Sequence, residues 1–361
     1  MPEMTTHERM SLVYGHREPD RVPITDSPWE STILRWHNEG LPLDVDWQDF
    51  FGLDRIVELV EETQVVDTSP RFEPHIIEET DSYKVEQDEW GQTKMNFKPV
   101  TSSYRHISSI VHDRPTWETA KRRMIPSPDR IDWIRLAAHW DRWRADGSWI
   151  VVAPWYGYDV TSTRLIDSET VLYALADDPA WVRDMCDTGC DLTLSLLEMV
   201  WEAGYHFDEI RWFDDMSYKN GPFFSKATWR EVVRPYQKRT IEWAHRHGIR
   251  AHLHSDGQMT TFVPDLIELG LDMLDPMETR AGVDPLALKR EFGAHLALRG
   301  GIPLQHWSDP LKAEADVRRM LPELMQGGGY LFSSDHSIPH DVSLSSYEHI
   351  LATAREVGIY R

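Results

Sequence analysis

From residue 149 to the C-terminus, short apolar runs alternate with helical patterns, and this alternation constrains the fold more than any other feature of the sequence. Residues 149–153, 209–213, 249–254, 271–274, 295–299 and 330–333 each read as a short buried strand. Helical spacing fills 136–145, 179–203, 228–247, the stretch ending at Leu269, 285–291, 311–325 and 344–357. Buried strands separated by helices form parallel sheets. Residues 21–26 (RVPITD) add a first strand and 30–37 a first helix, so the strand count reaches seven. No Gly-rich dinucleotide or phosphate loop follows any of them. Polar groups instead gather where strands end: Asp26, Tyr156, Asp214, Asp215, His254, Asp256, Asp275, Asp335 and His336. That distribution favours an α/β fold of the (β/α)8 TIM-barrel type over an open doubly wound sheet. Residues 65–100 alternate apolar and polar with turn residues between, which predicts a β-hairpin cap on a single domain spanning 1–361.

The composition suits a globular chain, with 41% hydrophobic and 27% charged residues. A formal net charge of -22 disfavours nucleic acid and anionic membrane as partners. Apolar runs stay well short of the roughly 18 residues that a membrane span requires. The polar N-terminus lacks the features of a signal or transit peptide, so the expected location is cytoplasmic. Cys186 and Cys190, four apart in a helical stretch, fit reduced core packing better than a metal site.

Within IRAHLHSDG (249–257), strand alternation points His252, His254 and, if the extension continues, Asp256 to one side. GGGYLFSSDHSIPH (327–340) repeats the pattern with Asp335, His336 and His340. Two such strands form the rim of one polar pocket. His252, deeper in its strand, reads as a core or supporting histidine, and His340, Asp341 and His349 as surface or cap residues. Asp214 and Asp215 fit either a site or a role as caps and partners of Arg211 and Lys219. Trp29, Trp90, Trp155, Tyr156, Tyr158, Trp212 and Trp307 are each explained by packing. As a group they favour a flat, weakly charged substrate.

Six motifs in order resemble the uroporphyrinogen decarboxylase superfamily: REPDRVP (17–23), DEWG (88–91), FDDM (213–216) with GPFFSKATWREVVRPYQKR after it, HSDG (254–257), LIELGLDMLDP and GGGYLFSSDHSIP. The resemblance implies a barrel, and an enzyme nearer the zinc-dependent, corrinoid-linked methyltransferases than the porphyrinogen decarboxylases. The methyltransferase branch carries H-x-C-G and a second Cys; here Asp256 and His336 fall at the two thiolate positions. The implied metal set is therefore His254, Asp256 and His336, holding zinc or a similar divalent ion. Asp214, Asp215 and His336 are the implied catalytic residues. Asp26, Trp29, Trp155, Tyr156, Trp212 and Glu278 are the candidates for substrate contact. The implied reaction moves a methyl group between a small, possibly methoxylated aromatic, substrate and a thiol or a corrinoid carried by a partner protein. The decarboxylase branch carries an arginine-rich N-terminal segment, whereas DSPWESTILRWHNEG offers only Arg35. A metal-free decarboxylase or lyase acting on a small aromatic acid through His336 and Asp214, or a non-catalytic small-molecule binder, stands as the alternative.

Overall fold

The computed structural model describes residues 3–59, 65–98 and 104–360. In chain order its strands are β1 (Ile56–Leu59), β2 (His75–Glu79), β3 (Tyr83–Gln87), β4 (Gln92–Phe97), β5 (Tyr104–Ser109), β6 (Trp149–Val152), β7 (Glu209–Phe213), β8 (Ser217–Tyr218), β9 (Gly221–Pro222), β10 (Arg250–His254), β11 (Met273–Asp275), β12 (Ala297–Arg299) and β13 (Tyr330–Leu331). Seven form one parallel sheet in the order β1-β6-β7-β10-β11-β12-β13, a curled sheet of TIM-barrel type. Helices such as Pro179–Glu202, Arg234–Arg246, Pro310–Met325 and Leu344–Val357 cover its outside. Their starts are written locally: Asp309 caps the backbone N–H of Lys312, and Pro310 then takes the first helical position, where no N–H is needed.

The eighth place belongs to the N-terminal segment expected as a strand at 21–26. It is joined by isolated bridges rather than a ladder. Ile24 pairs with Phe332 and Pro28 with Ile338, both in parallel, while Asp54 N–H donates to the Ile24 carbonyl at 3.0 Å on the other side. Pro23 and Pro28 supply no N–H, so a continuous ladder cannot form there. β1 is the strand that sequence reading passed over. Its four residues include Glu58, which breaks the apolar run.

The antiparallel material is a four-stranded sheet, β2-β3-β4-β5, running on to Ser109 and so past the expected limit of 100. Residues 99 and 100 of that expected cap lie outside the described residues. Among the described residues no helix is long and apolar enough to cross a membrane.

The core has two parts. One cluster fills the space between sheet and helices, and a separate one, with Ile56, Trp149, Val151, Met273, Ala297 and Leu331, fills the barrel floor. Met10, Val13 and Tyr14 of the helix Thr6–Tyr14 plug that floor from below. Cys186 and Cys190 are buried and free within the long helix, as their spacing suggests.

Candidate functional site

Above the apolar floor the barrel interior turns polar. Glu209 on β7 accepts hydrogen bonds from the Tyr14 hydroxyl (2.6 Å) and the Trp149 indole (2.7 Å), and its other oxygen faces His252 Nδ1 at 2.6 Å. His252 Nε2 lies 2.8 Å from Asp275. One step higher, Arg211 Nη1 grips Glu58 at 2.8 and 2.9 Å while its Nη2 donates to Asp275 at 2.7 Å. Arg299 donates to Glu58 at 3.0 Å. Charges this deep persist only when paired and hydrogen-bonded. Burial raises the carboxyls of Asp275 and Glu58, but nearby positive groups together outweigh it: Arg211, His254, His252 and Arg299 hold Asp275 well below the carboxylate range, and Arg211 and Arg299 hold Glu58 below it.

This ion-paired layer supports His254, the last residue of β10. His254 Nδ1 lies 3.1 Å from Arg211 Nη2 and 3.3 Å from Asp275 Oδ2, which turns Nε2 toward the barrel mouth. There Asp256 Oδ1 stands 3.6 Å from it, and Asp256 Oδ2 stands 3.4 Å from His336 Nε2. The Asp256 backbone N–H donates to Asp215 at 2.8 Å, so the loops after β7 and β10 present their carboxylates together.

The electrostatics separate these groups. The Asp256 hydrogen bond lifts His336 to about 9. Burial opposes the ionised form of Asp256, but the His336 and His254 rings hold its carboxyl below the usual range. Burial, then the charge of Asp256, pushes Asp215 up to about 6. Asp159 is raised well above the usual range by burial and by Asp215 and Asp214.

Two contiguous cavities meet here. A deep pocket of about 130 Å³ is lined by Asp26, Asp256, Asp275, Arg299, Ser334 and His336 among others. A wider chamber of about 490 Å³ is walled by Tyr104, Trp155, Asp159, Arg164, Phe213 and Asp215. Ser27, Arg211, His254 and Ser337 border both.

Asp215, His254 and Asp256 each offer one ligand atom, all within 4.8 Å of one another. Asp256 Oδ1 is buried without a hydrogen-bond partner among the described residues, an arrangement that costs free energy unless something electropositive sits beside it. Two carboxylates and an imidazole match the donors of a borderline or hard divalent ion, so the residues fit a metal. Asp215 takes the place in this compact set that sequence reading gave to His336. His336 stands one carboxylate away.

The other expected site residues divide. Asp26 is buried at the deep pocket, raised to about 6 by burial against an opposing hydrogen bond from Ser334 (2.6 Å). Trp155 walls the chamber. Asp214 lies behind that wall. It is fully buried and accepts from the Tyr236 hydroxyl at 2.6 Å, Gln237 at 2.8 Å and the Asp159 backbone at 3.1 Å. Burial lifts it to about 6. Glu278 accepts from the Gly257 backbone at 2.8 Å. Trp29 sits at the start of the helix Glu30–Glu39, 37% exposed, and lines neither cavity.

Trp212 and Tyr156 require correction as substrate contacts. On β7, Arg211 and Phe213 face the cavities, so strand alternation turns Trp212 outward, where it is fully buried in the cluster beneath the helices. Tyr156 is buried too, bonded to Thr240 at 2.6 Å, and lines neither cavity. Arg211 pairs with Glu58 and Asp275 rather than with Asp214 or Asp215. Sequence reading missed Glu58, Asp159, Arg164 and Arg299. Asp159 and Arg164 lie beyond the end of β6, and the strand-end pattern could have drawn attention to that loop.

The family description "Uroporphyrinogen decarboxylase (URO-D)" matches residues 151–357. No curated protein matches the sequence. A solved methyltransferase from Methanosarcina mazei superposes with a TM-score of 0.65 at 14% identity, covering 98% of this chain and 99% of that one. A psychrophilic family 10 endo-beta-1,4-xylanase (TM-score 0.37, 9% identity, 66% and 92% covered) and an L-ribulose 3-epimerase (0.35, 12%, 68% and 88%) follow at scores too low to carry an argument.

Proposed function

The chain belongs to the uroporphyrinogen decarboxylase (URO-D) family, and from that premise we propose that it is a metal-dependent methyltransferase acting on a small methylated substrate, with a corrinoid protein or a thiol as the other partner. The observation that carries this reading is the buried Asp256 Oδ1, which has no hydrogen bond among the described residues, beside His254 and Asp215 where two cavities meet. The full-length likeness to a methanogen methyltransferase agrees with it, at the level of fold.

Asp215, His254 and Asp256 would hold the ion, with zinc favoured by the mixed imidazole and carboxylate set. When bound it supplies Lewis acidity toward a methyl-bearing oxygen or a thiol. The chain's own residues do the rest. Arg211 and Asp275 fix the His254 ring from behind. Trp155, Phe213 and Tyr104 wall the chamber and limit water around the reacting methyl. Burial, with the nearby Asp215 and Asp214, shifts Asp159 toward its protonated form. It is thereby suited to protonate the oxygen that leaves when the methyl passes to its acceptor.

The same raised carboxyl favours a second reading, a metal-free decarboxylase in which Asp159 protonates the carbanion left by CO2. Elemental analysis of untagged protein purified without chelator, joined to an assay of methylcobalamin formation from free cob(I)alamin, tests the first. About one equivalent of zinc and chelator-sensitive methyl transfer are expected. Metal-free protein that releases CO2 from aromatic acids would establish the second instead.

A further inference from the structure

Two guanidiniums line the deep pocket, and they differ in how fully their donors are engaged. Every nitrogen of Arg211 is used: Nη1 donates to Glu58, Nη2 to Asp275 at 2.7 Å and Nε to Asp275 at 3.4 Å. Arg299 donates through Nη1, to Glu58 at 3.0 Å. Its Nε stands 3.7 Å from Asp275 Oδ2, an ion-pair distance, and its Nη2 has no hydrogen bond among the described residues. Arg299 is buried, and a buried N–H group needs an acceptor. The pocket it lines is the space from which an acceptor can reach it.

The backbone holds this guanidinium in place. Arg299 ends β12, which pairs in parallel with β11 and so sets Arg299 beside Asp275. The chain then turns through Gly300 at φ +83°, where a Cβ would come within 2.7 Å of the Ser334 carbonyl, so the loop after β13 packs directly on the turn. The Tyr330 hydroxyl fixes the Gly300 carbonyl at 2.9 Å.

The acids of the pocket are already answered. Asp275 pairs with Arg211, and Asp256 with His336 through Oδ2, while its Oδ1 belongs to the proposed metal set. Asp26 accepts from Ser334 Oγ at 2.6 Å and from the Ser27 backbone at 3.2 Å. The hydroxyls of Ser27 and Ser337, where the pocket opens to the chamber, have no hydrogen bond among the described residues. Donors without acceptors thus line the pocket at its floor and its mouth, which suits a group rich in acceptor oxygens.

We propose that the deep pocket is a carboxylate subsite, in which Arg299 Nη2 donates to the carboxylate of a small acid whose methyl-bearing end lies toward the Asp215, His254 and Asp256 group. The orientation rests on the methyl-transfer reading; the carboxylate subsite does not. Arg299 Nε and His254 Nδ1 both approach Asp275 Oδ2, at 3.7 and 3.3 Å, so a ligand of few atoms spans from one to the other. A pocket of about 130 Å³ also selects a short acid, being well below the roughly 300–1,000 Å³ of drug-sized sites.

Ligand-observed NMR titration of the full-length protein compares methoxyacetate with the uncharged methoxyacetamide, in zinc-loaded and in chelator-treated samples. The chelator removes any ion that could itself take the carboxylate. In both samples the acid is expected to bind at least about fivefold tighter. Arg299→Gln should abolish the preference while affinity for the amide stays within about twofold, which verifies an intact pocket. Arg299→Lys keeps a cation for Glu58 but has no further nitrogen to offer, so it should lose the preference as well. It carries the test if Arg299→Gln fails to fold. Equal affinity for acid and amide, no binding of either at millimolar concentration, a preference confined to the zinc-loaded sample, or an undiminished preference in a folded variant overturns the proposal. Preference for the acid without methyl transfer would discard the methyltransferase reading and leave the subsite standing. Methyl transfer from uncharged substrates without that preference would do the reverse.

Discussion

Asp256 and His336 meet through one carboxylate oxygen at 3.4 Å, while the other oxygen of Asp256 is buried on the side of His254 with no hydrogen bond among the described residues. One short side chain therefore ties the loop after β10 to the loop after β13, across the barrel mouth. Residues 80 positions apart in the sequence (336 less 256) share a single charge.

Zinc affinity should rank the residues around that carboxylate. Asp215→Ala is expected to weaken zinc by at least about tenfold, and His336→Ala by less, because His336 touches Asp256 and stands outside the compact set. Asp256→Cys, which adds a thiolate, should tighten binding. Competition against a chromogenic chelator reads all three. If His336→Ala loses more than Asp215→Ala, the assignment of Asp215 as a ligand is wrong.

The His336 and Asp256 pair also sets a pH dependence in metal-free protein. His336 is lifted from 6.5 to about 9 in the folded state. A raised histidine binds its proton more tightly when folded, so the stabilisation is full below about pH 6.5 and fades as pH rises through 9. With chelator present, the urea midpoint of the parent should exceed that of His336→Gln at pH 6 by more than it does at pH 9.5. A difference that does not change with pH rejects the pairing.

Closure of the barrel depends on Asp54. Its buried carboxylate accepts from Arg9 at 3.0 Å, Arg21 at 2.6 Å and the Ile24 backbone at 2.7 Å, joining the floor helix, the bridge-only segment and the approach to β1. Asp54→Ala leaves two guanidiniums without this partner and should cost about 3–5 kcal/mol in denaturant unfolding. A loss below about 1 kcal/mol would mean that the segment is held by its bridges and packing alone.

Trp212 and Trp155 should separate cleanly. Trp212→Ala, in the packed layer under the helices, is expected to lower stability by about 3–5 kcal/mol with ligand affinity unchanged. Trp155→Ala, half-buried in the chamber wall, should cost less stability and lower methyl transfer. The reverse pattern would contradict the outward placement of Trp212.

What the sequence determined by itself follows from local rules. Alternation along each strand puts His252 and His254 on one face, and repeated strand and helix spacing leads to a parallel barrel whose polar residues collect at the strand ends. His254, Asp256 and Asp215 were legible for that reason. The same rule applied to β7 would have turned Trp212 outward once Arg211 was known to face in, but nothing local says which parity faces the lumen. Only the closed tertiary structure decided that, by setting Arg211 between Glu58 and Asp275. It also decided the pairings that join distant positions: Glu58 with Arg299 across 241 residues, and the cap sheet with the turn bearing Arg164. A buried charge is stable only beside its partner, and that partner is supplied by the way the barrel closes rather than by the sequence around it.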